Sequence, residues 1–152
     1  MRLNAFLLAG LFVGMGAVIV SGAEEGAPAF REPLFFSEVD RENRTPQAVR
    51  VGGVVFVSAM TGPGESAEEQ VRTIYIRLQS VLGNYGLTMA DVAHERVYFS
   101  SDEALRKLKA MRGRYYGGSA GPATSFVRVA GFEDPGTLVS VEMMVVASPG
   151  EE

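Results

Sequence analysis

The chain contains no cysteine, no tryptophan and a single histidine. The missing cysteine excludes disulfides and every thiolate mechanism, so the fold is held by its own core. It also excludes a lipid anchor on a cysteine behind an N-terminal leader. One histidine, His94, cannot build a multi-histidine metal centre, and no run of carboxylates has metal-ligand spacing. Charge is sparse and leans acidic: 14 Lys and Arg against 18 Asp and Glu, a net −4 at pH 7. A body of that sign is a poor general binder of nucleic acid. What is abundant is apolar: 47% of the 152 residues are hydrophobic, which excludes intrinsic disorder and fits one domain.

Part of that apolar content is an address. The first 23 residues carry one charge, Arg2, ahead of an uncharged run from Ala5 to Val20, and Ser21-Gly22-Ala23 places small residues just before Glu24-Glu25. This is the pattern of a secretory signal peptide over residues 1–23, cleaved near Ala23. Sixteen helical residues rise about 24 Å, short of the ~30 Å hydrocarbon core, and three glycines weaken a permanent span. An uncleaved N-terminal membrane anchor is the alternative. Cleavage leaves a periplasmic or secreted protein of 129 residues with 13 basic and 18 acidic side chains and no attachment to the membrane.

Residues 24–43 read as a linker and an irregular N-terminal segment containing Pro33. Two β-branched runs between Ala48 and Ala59, broken at Gly52-Gly53, predict a β-hairpin. Ser66 with Glu69 forms a capping box, and Val71, Ile74, Leu78, Val81, Leu82 and Tyr85 recur at helical spacing until Gly83 and Gly86. Val92 to Phe99 reads as a strand. A second capping box at Ser100 and Glu103 opens a second helix, lined by Leu105, Leu108, Met111 and Tyr115 and stopped at Gly117-Gly118. Ser125 to Ala130 and Leu138 to Ala147 are the last strands, separated by the turn residues Glu133 to Gly136. The order β-β-α-β-α-β-β, with right-handed crossovers, sets both helices on one face of a mixed sheet. The closing strand is apolar on both parities, so the bare sheet face is expected to pack against other copies of the chain.

The run Gln47-Ala48-Val49 through Val57-Ser58, the Glu68-Glu69-Gln70-x-Arg72 segment, Leu82 to Val92, Gly121-Pro122-Ala123-x-Ser125 and Val141-Glu142 together resemble the RidA/YjgF family, also described as endoribonuclease L-PSP-like. The similarity spans residues 44 to 147, and a domain over 44–148 with a short tail follows. The resemblance implies an α+β, two-layer chorismate-mutase-like fold, a homotrimer with a ligand cleft at each subunit boundary, and no cofactor. It also implies hydrolysis of reactive 2-imino or enamine acids to keto acids and ammonia.

Carried over residue by residue, the family's site is largely replaced. The arginine that forks onto the substrate carboxylate is Thr124, which has no charge. The cysteine two positions on is Phe126. The glutamate that orients the attacking water is Ser140, a hydroxyl that cannot take a proton as a carboxylate does. A Gly-Gln pair after Ser58 is Ala59-Met60, a helix asparagine is Lys109, and a tyrosine before Gln47 is Thr45. Gln47, Ser58, Pro122, Ser125 and Glu142 are retained. Thr124, Phe126 and Arg128 alternate along one strand and share a face, so Arg128 is a candidate replacement anchor, against the ordinary fate of pairing with an acidic neighbour. The candidate ligand-binding set is therefore Ser58, Ala59, Thr124, Ser125, Phe126, Arg128 and Ser140.

Two other signals resolve to structure. Gly62-Pro63-Gly64-Glu65-Ser66-Ala67 fits G-x-G-x-x-A, but it follows a hairpin, and Glu65, Glu68 and Glu69 would oppose a pyrophosphate; a loop and helix cap are expected instead. Arg106, Lys107, Lys109, Arg112 and Arg114 cluster within nine positions, yet helical spacing spreads them around a solvated face without interleaved aromatics, so no nucleic-acid partner is expected. The sequence thus favours an exported trimer that binds a small ligand of the imino- or keto-acid class with the deaminase chemistry lost or altered. A deaminase with non-standard anchors is the alternative, and an RNA-directed or purely structural protein comes after it.

Overall fold

The computed structural model describes residues 30–117 and 120–147. Residues 1–23, where a signal peptide is expected, residues 24–29, the Gly118 part of the second helix stop and the tail lie outside the described residues. The elements are β1 (Arg31–Leu34), α1 (Glu38–Glu42), β2 (Ala48–Val51), β3 (Val54–Met60), α2 (Ala67–Asn84), β4 (Val92–Phe99), α3 (Asp102–Arg112), β5 (Ala123–Arg128) and β6 (Val139–Val146). They form one six-stranded sheet of order β1-β2-β3-β6-β4-β5, antiparallel except where β4 and β5 run parallel through the α3 crossover. The α+β, mixed-sheet expectation is met, with helices α2 and α3 on one face.

The hairpin of β2 and β3 turns at Gly52, whose φ of 58° suits a residue without Cβ. Helix α2 starts as expected, with Ser66 and Glu69 capping each other's backbone N–H. The glycine-rich loop before it is shaped by packing: a Cβ on Gly62 would sit 2.9 Å from the Gln70 carbonyl oxygen, and Gly64 has φ 151°. Buried Gln70 then ties this loop to the turn before β6, donating to the carbonyls of Gly64 and Gly136 and accepting from the Leu138 N–H.

Several boundaries differ from the sequence reading. The stretch read as irregular carries β1, which pairs with β2 at the sheet edge, where Pro33 is tolerated, and the short capped helix α1. Helix α2 runs through Gly83 and ends at Asn84. Helix α3 is capped by Ser101, not by a Ser100–Glu103 box, because the Ser100 hydroxyl and N–H both go to the Leu138 carbonyl and hold that residue to the sheet. Helix α3 also ends at Arg112, before Gly117, and strand β5 begins at Ala123, two residues before the expected start.

Strand parity divides the sheet. Val139, Val141, Met143 and Val145 of β6 are buried beneath α2 and α3 with Val55, Val57 and Val97, against Val71, Ile74, Leu78 and Leu108. The alternate residues Met144 and Val146, with Phe56 and Val127, lie on the open face and remain more than a third exposed.

Glu95 breaks the apolar rule of the buried face. Its side chain is fully buried on the same β4 parity as Val97 and Phe99. The phenols of Tyr75 and Tyr116 donate to Oε1 at 2.5 and 2.8 Å, and the Arg112 guanidinium forks onto Oε2 at 3.0 and 2.6 Å. Tyr75 stacks on Tyr115, with ring centroids 4.3 Å apart, and meets Tyr116 edge-on. Burial foremost, then the Glu95 charge, pushes both Glu95-bound phenols well above the ordinary tyrosine range.

These contacts yield two predictions. Replacing Arg112→Met leaves a buried carboxylate without its cation and is expected to cost about 3–5 kcal/mol in urea unfolding. The double variant Glu95→Gln/Arg112→Met, which keeps an acceptor for the phenols, recovers at least half of that loss; a neutral single variant refutes the role given to the pair. Because the Tyr75 and Tyr116 phenols bind their protons more tightly folded than unfolded, stability is intact below about pH 10. It falls as pH rises through that value, by up to about 1.4 kcal/mol per pH unit for each tyrosine. Tyr75→Phe/Tyr116→Phe starts less stable at neutral pH but shows a shallower alkaline decline in the same measurement.

Candidate functional site

The candidate residues fall into two groups on opposite faces of the sheet. On the helix side, Thr124 stands beside Glu95 in the parallel β4–β5 register. Its hydroxyl accepts from Arg112 Nη2 at 2.7 Å and donates to the Pro122 carbonyl at 3.0 Å. Phe126 lies on the same side, with Lys109 Nζ 4.6 Å from its ring centroid. Arg128 pairs with Asp102 at the start of α3 and lies over the Phe99 ring. The shared face of Thr124, Phe126 and Arg128 is as the alternation predicts, and Arg128 has the acidic neighbour weighed as its ordinary role.

On the open face, Ser58 and Ala59 occupy a β-bulge between Val57 and Met60, a device that re-aims side chains at strand edges and sites. The Ser58 hydroxyl donates to the Pro46 carbonyl at 2.8 Å. Ser140, the position of the family glutamate, is buried and donates to the Met60 carbonyl at 3.2 Å. Ser125 also faces this side, its Oγ 3.4 Å from His94 Nε2. A cleft of about 400 Å³ opens here, lined by Val49, Phe56, Ser58, His94, Arg96, Glu142 and Met144. Within it Arg96 and Glu142 pair at 2.6 Å, which leaves the cleft nearly neutral and largely apolar.

Ser58 and Thr124 are thus separated by the three strand steps from β3 to β5, about 14 Å at ~4.8 Å per step, and by the thickness of the sheet. One small molecule cannot touch both within one copy.

Sequence reasoning missed two residues. Arg112 was assigned to the solvated face of α3, whereas it turns inward to Glu95 because a fully buried carboxylate needs a cation. Glu95 on the parity of Val97 and Phe99 was the available signal. Arg96 was passed over, although positions 94, 96 and 98 share the parity opposite to that core. With Arg112 turned inward and Lys107 paired to Glu68, the five basic residues do not form one free basic face. Arg112 is itself held above its ordinary value: burial opposes its charge, and the Glu95 hydrogen bonds and charge outweigh burial. Among the described residues no group of three or more histidine or carboxylate side chains is placed to hold a metal ion.

Comparison with known proteins agrees with this architecture. The sequence profile of the family described as Endoribonuclease L-PSP matches residues 37–148. The crystal structure of Rv2704 from Mycobacterium tuberculosis, a member of the YjgF/YER057c/UK114 family, is 30% identical, covering 78% of this chain and all of that one with a TM-score of 0.71. NMB1025 of the YjgF family from Neisseria meningitidis, 18% identical, aligns over 81% of this chain and 99% of its own at a TM-score of 0.71. TdcF of E. coli, solved with bound serine, is 18% identical and shares the fold at a TM-score of 0.62 over 68% and 87% of the two chains. No curated protein matches significantly. With an open-faced mixed sheet under two helices, the landmarks from Gln47 to Glu142 in order, and a profile match over most of its length, the chain belongs to the Endoribonuclease L-PSP, or YjgF/RidA, family.

Proposed function

We propose that the protein is an exported homotrimer that binds a small ligand between copies, with the imine-hydrolysing chemistry of the family lost or altered. The corner at Thr124 carries this reading. A guanidinium does stand there, but it is Arg112, and Glu95 neutralises it from within the fold. The corner therefore offers a ligand a hydroxyl, the Phe126 ring and the Lys109 ammonium over that ring, and not a free guanidinium fork. Across the sheet, Ser140 directs its hydroxyl to the Met60 carbonyl, and no carboxylate at that position orients a water. The Thr124 and Ser58 groups become one cleft only when the β5–α3 corner of one copy meets the β3 bulge of another. The open face supports such packing, because a contiguous set of exposed apolar side chains on one sheet face marks an interaction surface. Export rests on the N-terminal pattern of Arg2, the apolar run and Ser21-Gly22-Ala23.

Light scattering is expected to give a trimer, and Phe56→Asp/Met144→Asp a folded monomer by circular dichroism. A wild-type monomer at micromolar concentration removes the shared cleft. Incubated with an amino-acid oxidase that generates imino acids, the wild-type protein leaves keto-acid release at the uncatalysed rate. Acceleration comparable to that of an arginine-bearing family member overturns the loss of chemistry, and activity gained only in Thr124→Arg/Ser140→Glu assigns the loss to those two positions. N-terminal sequencing of the protein from its native host should begin near Glu24; a chain that retains residues 1–23 supports the anchor instead.

A further inference from the structure

A second cleft, about 290 Å³, lies at the β1–β2 edge of the open face and shares only Val49 with the first. Its lining is Arg31, Pro33, Phe35, Arg44, Pro46 and Val49. The register explains how the strand residues meet. Pro33 pairs with Val49 and Arg31 with Val51 across the β1–β2 ladder, so Arg31, Pro33 and Val49 share one face. Arg44 arrives from the loop after α1, and Pro46 closes the floor toward Ser58, whose hydroxyl binds the Pro46 carbonyl.

The two arginines differ from most others in the protein. Arg41, Arg50, Arg72, Arg96, Arg112 and Arg128 each face a carboxylate within 4 Å. Among the described residues neither the Arg31 nor the Arg44 guanidinium has an ion pair or a side-chain hydrogen bond. Arg77, Arg106 and Arg114 are also without ion pairs, Arg77 donating to the Thr61 carbonyl, but these three line neither cleft, whereas Arg31 and Arg44, themselves exposed, both line this one. Two guanidiniums on the lining of one otherwise apolar cleft, neither with a carboxylate partner, offer an anion two charge-assisted donors.

The backbone adds an independent observation. Arg44 has φ 57°, the one non-glycine residue in the left-handed region among the described residues, a conformation that is strained for a residue with a Cβ. The surroundings enforce it. Ser37 and Asp40 form a reciprocal capping box on α1, the Arg44 N–H reaches the Arg41 carbonyl, and the Thr45 N–H reaches the Asp40 carbonyl at 2.9 Å. Asparagine or glycine relieves such strain with no loss of the turn, whereas the arginine here lines the cleft.

We propose that Arg31 and Arg44 form a binding site for a small organic carboxylate, with the carboxylate between the two guanidiniums and its apolar body against Phe35, Val49 and the two prolines. Guanidinium forks match the planar carboxylate and phosphate groups alike, and the apolar walls select the carboxylate that carries a hydrocarbon body. The site is built from one copy of the chain and does not rest on the cleft between copies.

Benzoate, its neutral isostere benzamide and inorganic phosphate are the probes, titrated into the isotopically labelled protein at low ionic strength while the arginine side-chain N–H and Val49 methyl signals are followed. Benzoate is expected to shift the Arg31, Arg44 and Val49 signals with saturation. Benzamide binds at least tenfold more weakly, and phosphate moves the arginine signals without the Val49 methyls. Arg44→Gln lowers benzoate affinity by about tenfold, in line with loss of one charge-assisted contact of ~1.4 kcal/mol, and Arg44→Lys recovers part of it. Arg44→Gly, which relieves the backbone strain and removes the charge, is at least as stable as wild type and binds benzoate at least tenfold more weakly. The site is refuted if benzoate at millimolar concentration shifts nothing, or if benzamide binds equally. It is equally refuted if the Arg31→Gln and Arg44→Gln variants change the mass in light scattering while leaving benzoate binding intact, since the arginines then serve contacts between copies.

Discussion

The helix side of this protein is organised around the burial of one carboxylate. Glu95 is fully enclosed on a strand face that is otherwise apolar, and an ion in that position is tolerated only when paired and hydrogen-bonded. Its partners come from four parts of the chain: Tyr75 from α2, Arg112 from the last turn of α3, Tyr116 from the turn that follows and Thr124 from β5 through the shared Arg112. Each must be in place for the others to be useful, so the pair fixes where α3 ends, how the chain returns to β5 and which way Thr124 points. A pair of this kind contributes less to net stability than to uniqueness of packing, because desolvation offsets most of the Coulombic gain.

Local patterns made much of the fold readable, and long-range pairing decided the rest. The β2–β3 hairpin, the Ser66–Glu69 cap and both ends of β4 depend on residues within a few positions of each other, and these stand as the periodicity predicts. The start of α3 was misread because Ser100 and Ser101 are equivalent as caps locally; the Leu138 carbonyl, 38 residues away, takes Ser100. Arg112 was misread for the same reason. A helical wheel assigns a cation at the edge of an apolar stripe to solvent, and only the partner strand supplies the buried acid. β1 was invisible because Pro33 argues against a strand unless the strand lies at an edge.

The candidate site was legible as a set of residue types but not as a place. Alternation along β5 correctly puts Thr124, Phe126 and Arg128 on one face, and Ser58 and Ser140 are recognisable by their neighbours. Their separation onto opposite faces follows from β6 being inserted between β3 and β4, a topology that sequence order alone does not state. Once that strand order is known, a requirement follows: residues from both groups can contact one small ligand only if two copies contribute.

Charge placement then separates what is structural from what is available. Beside Thr124 the guanidinium comes from α3 and is cancelled by Glu95; on the open face Arg96 is cancelled by Glu142; at the β5 end Arg128 is cancelled by Asp102. At these three positions a ligand carrying negative charge therefore meets a guanidinium already paired to a carboxylate, whereas Lys109, over the Phe126 ring, has no ion pair among the described residues. Among the described residues the Arg31–Arg44 edge is a concave surface whose guanidiniums have no carboxylate partner, and Arg44 is held there in the left-handed region after a capped helix of five residues. A corner at Thr124 whose guanidinium is held by Glu95 serves the geometry of the fold, and on our proposal anion recognition falls to the Arg31–Arg44 edge.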